Sequence, residues 1–543
     1  MVFARRSTTL LAAIIASCAM VLSLTACTSD NKTVVDGQTT VTSNSAGGVA
    51  VFTPSDGITL NQQVPLNKWA KLVPDLTKAL VDAGFKKGDI NHTTSDSLDK
   101  QSRAIQDFVV DHLSNNTTDD SGIAIAPDNM TLLVAPVVEA DASTRQYGDY
   151  VSQNLSTNDV TDEGATSDGE SSEDDSSKDD SSNTESDSTA SDEQAQAVDR
   201  LVSSLKLAKE SGMHVVLLGN SIEGYKPDAF VKFSDAQTIG KLQAEKMVSK
   251  LKLDKASKDN PKYIEVLLPY TAVDEKGNAN DSTFAQEAFR GIWQVLGSYY
   301  QKGVVESPSG TLDGKSTEND WQAVAYDAAK EGSTAKVLDK RLAKTDGQST
   351  LTRIDGIITM NDYIASEVVK ELDDLGYTGS AADINPQITI SGIVGNITGK
   401  KDLSRDAVPD PIKSPENDNA NDSSSSDDDA DKDTSASDKD RDSQWPLVTG
   451  YGAYVSNIPS IVNGKQWMTG MEDRQTIATD IAQACAKLNK DEALNSMPSI
   501  RNSEVGGVKK IPTISEPLLA VSASNLKSAL IDPGYISLAD AGL

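Results

Sequence analysis

The chain has few cysteines, histidines and aromatic residues, of which nucleophilic enzymes and disulfide-rich proteins often make use. Its 543 residues contain only three cysteines and three histidines, and aromatic residues make up 5%. None of the histidines stands near a serine or cysteine in a setting typical of nucleophilic catalysis. Three residues separate Gly310 from Gly314, whereas a phosphate-binding P-loop needs four, and no strand leads into this stretch. The sequence therefore predicts a protein that is not an enzyme and has no cofactor.

Residues 1–27 have the pattern of a bacterial lipoprotein signal peptide. Arg5 and Arg6 precede an apolar run of export-signal length, which ends in Leu-Thr-Ala before Cys27. Cleavage before Cys27 would leave a thiol that can carry lipid and anchor the protein on the outer face of a bacterial membrane, which favours a Gram-positive cell. A plain secretory signal is the alternative. Residues 28–47 are predicted to be a polar tether, and no second apolar stretch is long enough to span a bilayer.

Loss of the signal peptide would leave only Cys27 and Cys485. A single thiol that carries no lipid cannot form an internal disulfide. Cys485 lies in the stretch DIAQACAKL, whose helical apolar pattern predicts that this thiol belongs to a helix core.

Acidic residues outnumber basic ones, 81 to 50, and the formal net charge is −31. Much of this charge lies in two runs, residues 158–193 with a net charge of −13 and residues 415–442 with −8. Neither run has the apolar side chains that would offset the entropy cost of ordering. We therefore predict disordered insertions at about residues 152–196 and 413–444. Such runs repel phosphate, which argues against a nucleic-acid partner.

The second run contains a partial match to a metal site. Asp429, Asp431 and Asp433 have the spacing of the first ligands in a calcium-binding loop. Thr434 replaces the turn glycine of such a loop, however, and Asp440 replaces its bidentate glutamate. The sequence therefore predicts no metal site.

Short apolar runs alternate with helical patterns along the rest of the chain. An apolar run at 47–54 is followed by a helical pattern at 68–85, and an apolar run at 354–360 by one at 363–379. This alternation predicts an α/β fold in which helices cover both faces of parallel sheets. Two such series follow each other in a chain too long for one core, so we expect two doubly wound lobes.

The pair Asn361-Asp362 stands where an apolar run meets the start of a helix. Doubly wound sheets bind ligands beyond the carboxyl ends of their strands, so the pair is a candidate ligand site. Helix capping is the alternative, since Asn or Asp at a helix start accepts a hydrogen bond from a free backbone N–H. Both roles are compatible if Asp362 caps the helix while Asn361 directs its amide into a cleft.

Several stretches together resemble the type I periplasmic sugar-binding proteins of ABC importers, and most of all the xylose-binding and multiple-monosaccharide-binding branch. The stretches are KWAKLVPDLTKALVDAGF, SLDKQSRAIQDFV, LLVAPV, FVKFSDAQTIGKLQAEKMV, MNDYIASEVVKELDDLGYTG, WPLVTGYGAYVSNIPSIVNGKQWMT and the tail GGVKKIPTISEPLLAVSASNLKSALIDPGY. Their order and spacing match the family pattern over roughly residues 48–543, apart from the two acidic runs.

The resemblance implies two Rossmann-like lobes joined by a three-strand hinge, with a sugar bound between them. It places the N-lobe at residues 48–235 plus 472–495 and the C-lobe at 236–471 plus 496–543. It also implies a monomer that closes around its ligand and is recognised in the closed form by ABC permease subunits. The expected function is that of a membrane-anchored extracytoplasmic solute-binding protein that delivers a monosaccharide or a related sugar.

The resemblance also identifies candidate ligand-binding residues. Asn361 corresponds to an asparagine that hydrogen-bonds sugar hydroxyls, and Trp69 to a tryptophan whose ring covers the apolar face of a pyranose. The alternative for Trp69 is a half-buried aromatic at the edge of a lobe. Lys68 stands where relatives usually have arginine, so it keeps the charge and loses the bidentate fork. The full candidate set is Lys68, Trp69, Asn220, Asn361, Asp362 and Tyr451.

Four positions depart from the family pattern. They are Gly219-Asn220 in place of Asp-Arg, Tyr451-Gly452 in place of Gln-Asp, Thr283 or Phe284 in place of Asn, and Gly470-Met471-Glu472-Asp473 in place of an aromatic-lysine pair. Each hydrogen-bond partner missing from a desolvated site costs about 1–3 kcal/mol. A second hypothesis therefore stays open, namely a degenerate binding fold that acts as a surface sensory or interaction lipoprotein without a transported sugar.

Overall fold

The computed structural model of the chain describes residues 32–35, 38–41, 46–56, 65–115, 125–138, 142–151, 153–156, 185–273, 280–328, 330–343, 351–381 and 443–543. They fall into two units, Met1–Ser45 and Ala46–Leu543. The predicted signal peptide with Cys27, the three aspartates of the calcium-like stretch and most of both predicted insertions lie outside the described residues. No helix among the described residues is both long enough and apolar enough to cross a membrane.

The first unit contains two strands, β1 (Lys32–Val35) and β2 (Gln38–Val41), which form an antiparallel hairpin within the predicted tether. The strands of the second unit are β3 (Gly48–Pro54), β4 (Ile90–Ser95), β5 (Met130–Val134), β6 (Asn154–Leu155), β7 (His214–Leu218), β8 (Ser221–Ile222), β9 (Ala229–Lys232), β10 (Lys262–Val266), β11 (Leu268–Pro269), β12 (Val305–Glu306), β13 (Ala325–Tyr326), β14 (Gly356–Ile358), β15 (Leu447–Val448), β16 (Met468–Met471), β17 (Ile500–Val505), β18 (Val508–Ser515) and β19 (Leu519–Ser522). Its α-helices are α1 (Trp69–Asp82), α2 (Leu98–Asn115), α3 (Ala142–Arg145), α4 (Glu185–Glu210), α5 (Ala236–Lys250), α6 (Thr283–Gln301), α7 (Trp321–Val324), α8 (Ser333–Arg341), α9 (Asp362–Leu375), α10 (Ile458–Val462) and α11 (Arg474–Leu488).

A seven-stranded sheet forms the first lobe. Its order is β17-β18-β9-β7-β5-β3-β4, and all neighbours are parallel except β17 and β18. One face packs against α1 and α11 through Leu72, Ile481 and the buried Cys485, and the other against α2 and α4 through Ile105 and Leu201. Burial of both faces is what a parallel sheet between two layers of helices requires. The predicted core position of Cys485 is confirmed.

The second lobe is built on four parallel strands in the order β12-β10-β14-β15. Ile357 of β14 shares an apolar core with Ile239 of α5, Phe289 of α6, Leu338 of α8 and Val368 of α9. Two short pairs lie beside this sheet, the parallel strands β11 and β13 and the antiparallel strands β16 and β19. The predicted α/β fold with two lobes of parallel sheet is confirmed.

Within the described residues, the chain crosses between the lobes three times, after β9, after β16 and after β18. The last crossing corrects one predicted boundary, because residues 496–543 were assigned to the second lobe. β17 and β18 instead extend the sheet of the first lobe, where Thr513 pairs with Phe230 of β9. Ile511 and Ile514 explain this placement, since their side chains are buried in the cores on opposite faces of that sheet. The tail from β19 onward packs near β16.

The ends of the first predicted insertion are part of the described structure. β6 pairs with β8, and Leu155 of β6 is buried with Ile222 in the core of the first lobe. α4 begins at Glu185 and continues into a buried apolar stripe at Ala197 and Val198. The range 152–196 was therefore drawn too wide at both ends, because short apolar contacts flank the acidic run.

Helices α5 and α6 approach each other closely through two glycines. A methyl group at Gly240 would lie 2.2 Å from the carbonyl oxygen of Ala288, and one at Gly291 would lie 2.0 Å from the carbonyl oxygen of Gln237. Backbone atoms inside a helix cannot rotate out of the way as a flexible side chain can. The spacing of the two helices therefore depends on residues without a Cβ atom.

Replacing Gly291→Ala should lower the free energy of unfolding by about 1–3 kcal/mol, because the extra methyl group overpacks the helix contact. This loss should appear although alanine has the higher intrinsic helix propensity. Ser298→Ala, on the exposed side of the same helix, is the control and should change stability by less than about 0.5 kcal/mol. Urea unfolding followed by circular dichroism measures both variants, and wild-type stability in Gly291→Ala would contradict the close approach.

Candidate functional site

The two lobes meet where the carboxyl ends of parallel strands face each other. The residues that follow β5 and β9 in the first lobe contact residues that follow β14 and β15 in the second. Doubly wound sheets bind their ligands at such an edge. We call this region the interlobe site and define it by Lys68, Trp69, Asn220, Ser234, Asn361 and Tyr451.

A buried carboxyl group joins two of the three crossings. Glu472 follows β16, and its Oε1 accepts a hydrogen bond from the backbone N–H of Ser234, which follows β9, at 2.6 Å. The Tyr451 hydroxyl shares a hydrogen bond with the Ser234 hydroxyl and lies 3.4 Å from the same Oε1. Burial raises the pKa of the Glu472 carboxyl to about 7. Ser234 and Glu472 were not among the candidate residues, because nothing in the local sequence shows that they meet.

Asn361 combines both roles that the sequence left open. Its Oδ1 accepts a hydrogen bond from Ile364 N at 2.9 Å and so caps α9. Its Nδ2 donates to Gln146 Oε1 of the first lobe at 3.1 Å. Met360 precedes it with a φ of 68°, a strained conformation of the kind that clusters at functional sites. The capping residue is thus Asn361 itself, which corrects the suggestion that Asp362 caps the helix.

Asp362 is a structural centre of the second lobe. Its Oδ2 accepts hydrogen bonds from Tyr454 N and Thr469 Oγ1, both at 2.9 Å, and its Oδ1 accepts one from Gln466 Nε2 at 2.7 Å. The side chain is fully buried, and this burial raises the pKa of its carboxyl to about 6. All three partners belong to the second lobe, so Asp362 fixes the loops around Asn361 and does not face the first lobe.

Lys68 and Trp69, at the start of α1, both contact Asp149. Lys68 Nζ lies 2.9 Å from Asp149 Oδ1, and these side chains are only 14% and 20% exposed. Trp69 N donates to Asp149 Oδ2 at 3.0 Å. One carboxylate therefore pairs with the ammonium and satisfies a free N–H in the first turn of the helix. The Tyr150 hydroxyl donates to the carbonyl oxygen of Lys68 and completes this set.

The Trp69 ring is enclosed by other aromatic side chains. It is 2% exposed and meets Tyr150 and Phe233 edge to face, with ring centroids 5.0 Å and 5.7 Å apart. Gly219 has a φ of 71°, which favours glycine, and borders both the Trp69 and the Phe233 rings. The ring that was predicted to cover a pyranose thus contacts side chains of its own chain.

Two further candidates are engaged by the same part of the first lobe. Asn220 donates through Nδ2 to the carbonyl oxygen of Pro136 at 2.9 Å and accepts through Oδ1 from Gln153 N at 3.0 Å. The Tyr451 ring lies 6.3 Å from that of Tyr147, which also contacts Phe284 at 4.7 Å. Polar and aromatic groups that could bind a small ligand are therefore occupied.

A single segment makes most of these contacts. We call residues 146–151 together with Gln153 the cleft segment, since residue 152 lies outside the described residues. It contacts five of the six candidates, namely Lys68, Trp69, Asn220, Asn361 and Tyr451. The sequence analysis missed this segment, although one signal was present. Residues 135–184 separate β5 from α4, and of regular structure they contain only the short elements α3 and β6 among the described residues, whereas strand-to-helix connections usually have about 2–6 residues and long ones are often functional.

No protein-family model and no curated protein matches the chain. Among solved structures, an ABC transporter solute-binding protein from Clostridium phytofermentans with bound β-D-glucose is 17% identical, with a TM-score of 0.45 over 91% of this chain and 99% of that one. A carbohydrate transporter solute-binding protein from Chloroflexus aurantiacus in complex with D-glucose is 18% identical, with a TM-score of 0.43 over 92% and 98%. A sugar ABC transporter protein from Actinomyces odontolyticus is 10% identical, with a TM-score of 0.43 over 89% and 97%. With TM-scores below 0.5, this likeness decides neither the family nor the ligand of the chain.

The raised pKa of Glu472 predicts a pH-dependent stability. Between its ordinary value of 4.5 and about 7, the folded chain keeps this carboxyl protonated while the unfolded chain releases the proton. The folded state therefore binds more protons in this window, and the stability contributed by Glu472 decreases as the pH rises through it. Glu472→Gln should remove on the order of 2–3 kcal/mol from the difference in unfolding free energy between pH 5 and pH 8.

Urea unfolding at both pH values measures this difference. Glu504→Gln, at an exposed position of β17, is the control and should keep the wild-type pH dependence. The same pH dependence in Glu472→Gln and wild type would show that the carboxyl is not protonated in the folded chain.

Proposed function

We propose that the protein is an extracytoplasmic solute-binding protein that holds a sugar, or a related polyhydroxylated molecule, between its two lobes and delivers it to the permease of an ABC importer. The observation that carries the proposal is the position of Asn361. Asn361 follows the parallel strand β14 of the second lobe, and its amide donates a hydrogen bond to Gln146 of the first lobe. The three chain crossings connect the same two lobes. A ligand bound there would link the lobes, and hinge closure would then report its presence.

The chemistry of the interlobe site suits a neutral polar ligand. The amide of Asn361 can both donate to and accept from hydroxyl groups. Lys68, Trp69 and Tyr451 are engaged by the cleft segment; if it moved away, the Lys68 ammonium would face hydroxyl groups and the two rings the apolar side of a sugar ring. A small neutral sugar such as D-glucose is therefore the first probe. Nothing in this arrangement requires a covalent step, so we propose a binding role and no enzymatic one.

The proposal predicts that at least one simple sugar stabilises the chain. Thermal unfolding should be followed with D-glucose, D-xylose, D-ribose, L-arabinose and short oligosaccharides. A ligand that binds only the folded state adds about 2.7 kcal/mol at a hundredfold excess over its dissociation constant, which raises the melting temperature. An unchanged melting temperature with every sugar would count against the proposal.

Asn361→Ser tests the site itself. Serine keeps an oxygen that can cap α9 and removes the Nδ2 donor, so the fold should persist. The affinity for the sugar found in the screen should fall by about 1–3 kcal/mol, roughly fivefold to 150-fold. Asn319→Ser, at an exposed position of the second lobe, should leave the affinity unchanged. Equal loss in both variants, or none in either, would place the ligand elsewhere.

Anchoring by lipid on Cys27 belongs to the same proposal. Each buried CH₂ group of an acyl chain contributes about 0.8 kcal/mol, so a multiply acylated cysteine would hold the protein stably at a membrane. Cys27→Ala in the complete precursor should therefore release the protein into the medium, as immunoblotting of membrane and medium fractions would reveal. Continued membrane association of Cys27→Ala would contradict the anchor.

One observation favours the second candidate, a sensory or interaction lipoprotein without a transported sugar. The groups proposed to bind a ligand already have partners in the cleft segment. A protein that keeps its lobes closed without a solute would present a constant surface to a partner. The sugar screen separates the two functions, because this candidate predicts no ligand.

A further inference from the structure

We infer that the cleft segment is an internal occupant of the interlobe site: it holds the lobes together in the absence of ligand, and an external ligand binds by displacing it. The first part is independent of the proposed function. The second part rests on it, because it requires that a ligand exists.

The cleft segment contacts the second lobe through two hydrogen bonds of Gln146 and through the packed ring of Tyr147. Gln146 Oε1 accepts from Asn361 Nδ2 at 3.1 Å, and the Gln146 carbonyl oxygen accepts from the Tyr454 hydroxyl at 2.7 Å. The Tyr147 ring is 1% exposed and shares the apolar core of the second lobe, together with Val151. Residues of the first-lobe chain thus complete the core of the other lobe.

Asp149 and Tyr150 of the cleft segment contact the first lobe. Asp149 pairs with Lys68 Nζ and accepts from Trp69 N, and its own backbone N–H donates to the carbonyl oxygen of Asn67 at 2.8 Å. Tyr150 stacks on Phe233 with centroids 4.8 Å apart. Because adjacent residues bond to opposite lobes, opening of the hinge must break one set of contacts or pull the segment with one lobe.

The groups of the cleft segment that face the candidate residues are of the kinds that a polar ligand would present. An amide oxygen faces Asn361, a carboxylate faces Lys68 and the start of α1, and aromatic rings face Trp69 and Tyr451. Gln146 and Asp149 lie on a connection and not in a sheet or helix, whereas Tyr147 and Tyr150 are buried in the cores of the second and first lobe, so displacement of the segment must expose both rings. An occupant that fills the site in nine of ten molecules would weaken the apparent affinity for an external ligand about tenfold.

Gly148 offers a direct way to expel the segment. It has a φ of 101°, and a methyl group there would lie 2.6 Å from the carbonyl oxygen and 2.7 Å from the Cβ of Asn67. Gly84 is a matched control with a φ of 102°, where a methyl group would meet only Ala46 Cβ at 3.9 Å. Both alanine variants carry the same backbone strain, but only Gly148→Ala also clashes in the site.

The experiment is small-angle X-ray scattering of the chain without residues 1–27, in the absence of ligand. Gly148→Ala should have a larger radius of gyration than wild type, and Gly84→Ala should match wild type. The double variant Gln146→Ala/Asp149→Ala removes polar contacts without a clash and should also expand. Circular dichroism and a cooperative melting transition establish that each variant is folded. If neither variant expands relative to wild type, the segment does not hold the lobes together and the inference is overturned.

Sugar affinity provides the second readout. If a sugar binds, Gly148→Ala should bind it about tenfold more tightly than wild type and Gly84→Ala should not. Equal affinity in Gly148→Ala and wild type would overturn displacement. If the variants expand and no sugar binds to any of them, the internal occupant stands and the proposed sugar-binding function fails.

Discussion

The hydrogen bond between the Asn361 amide and the Gln146 side chain is the interaction around which the rest of the structure is arranged. Asn361 is fixed on its own side because its Oδ1 caps α9 and because Asp362 behind it is held by three donors of the second lobe. Gln146 is fixed on the other side by the fit of Gly148 against Asn67 and by the pairing of Asp149 with Lys68. Both side chains are therefore positioned before they meet, and their hydrogen bond joins the lobes together with the Ser234–Tyr451 and Gln146–Tyr454 contacts.

Asn361 is fully buried, which strengthens its hydrogen bond to Gln146 and also makes the loss of this bond costly in free energy. Hydrogen bonds in a desolvated region are strong, and a partner left alone there costs about 1–3 kcal/mol. The same burial raises the pKa of the Glu472 carboxyl, which joins two crossings next to the Tyr451 hydroxyl. Glu472, the interlobe site and the cleft segment are connected through Ser234, Tyr451 and Tyr147.

Local sequence predicted much of the fold and little of the site. The helical pattern at 68–85 became Trp69–Asp82, and the pattern at 363–379 became the helix Asp362–Leu375, because periodicity and capping act within a few residues. β18 was assigned to the wrong lobe because its partner, β9, is distant in sequence. The cleft segment was missed for the same reason, since Gln146 and Asn361 are 215 residues apart. Three residues that differ from the resembled pattern contact the cleft segment or a crossing: Phe284 and Tyr451 contact Tyr147, and Glu472 bonds to Ser234.

Hydrogen exchange in the cleft segment tests the account most directly. The backbone N–H groups of Asp149 and Gln153 donate to Asn67 and Asn220, so in the ligand-free protein they should exchange slowly, like those of the central strands. A sugar that occupies the site should make both exchange rapidly. Rapid exchange of these groups in the ligand-free protein would contradict the account, because the site would then be open and the segment would not occupy it.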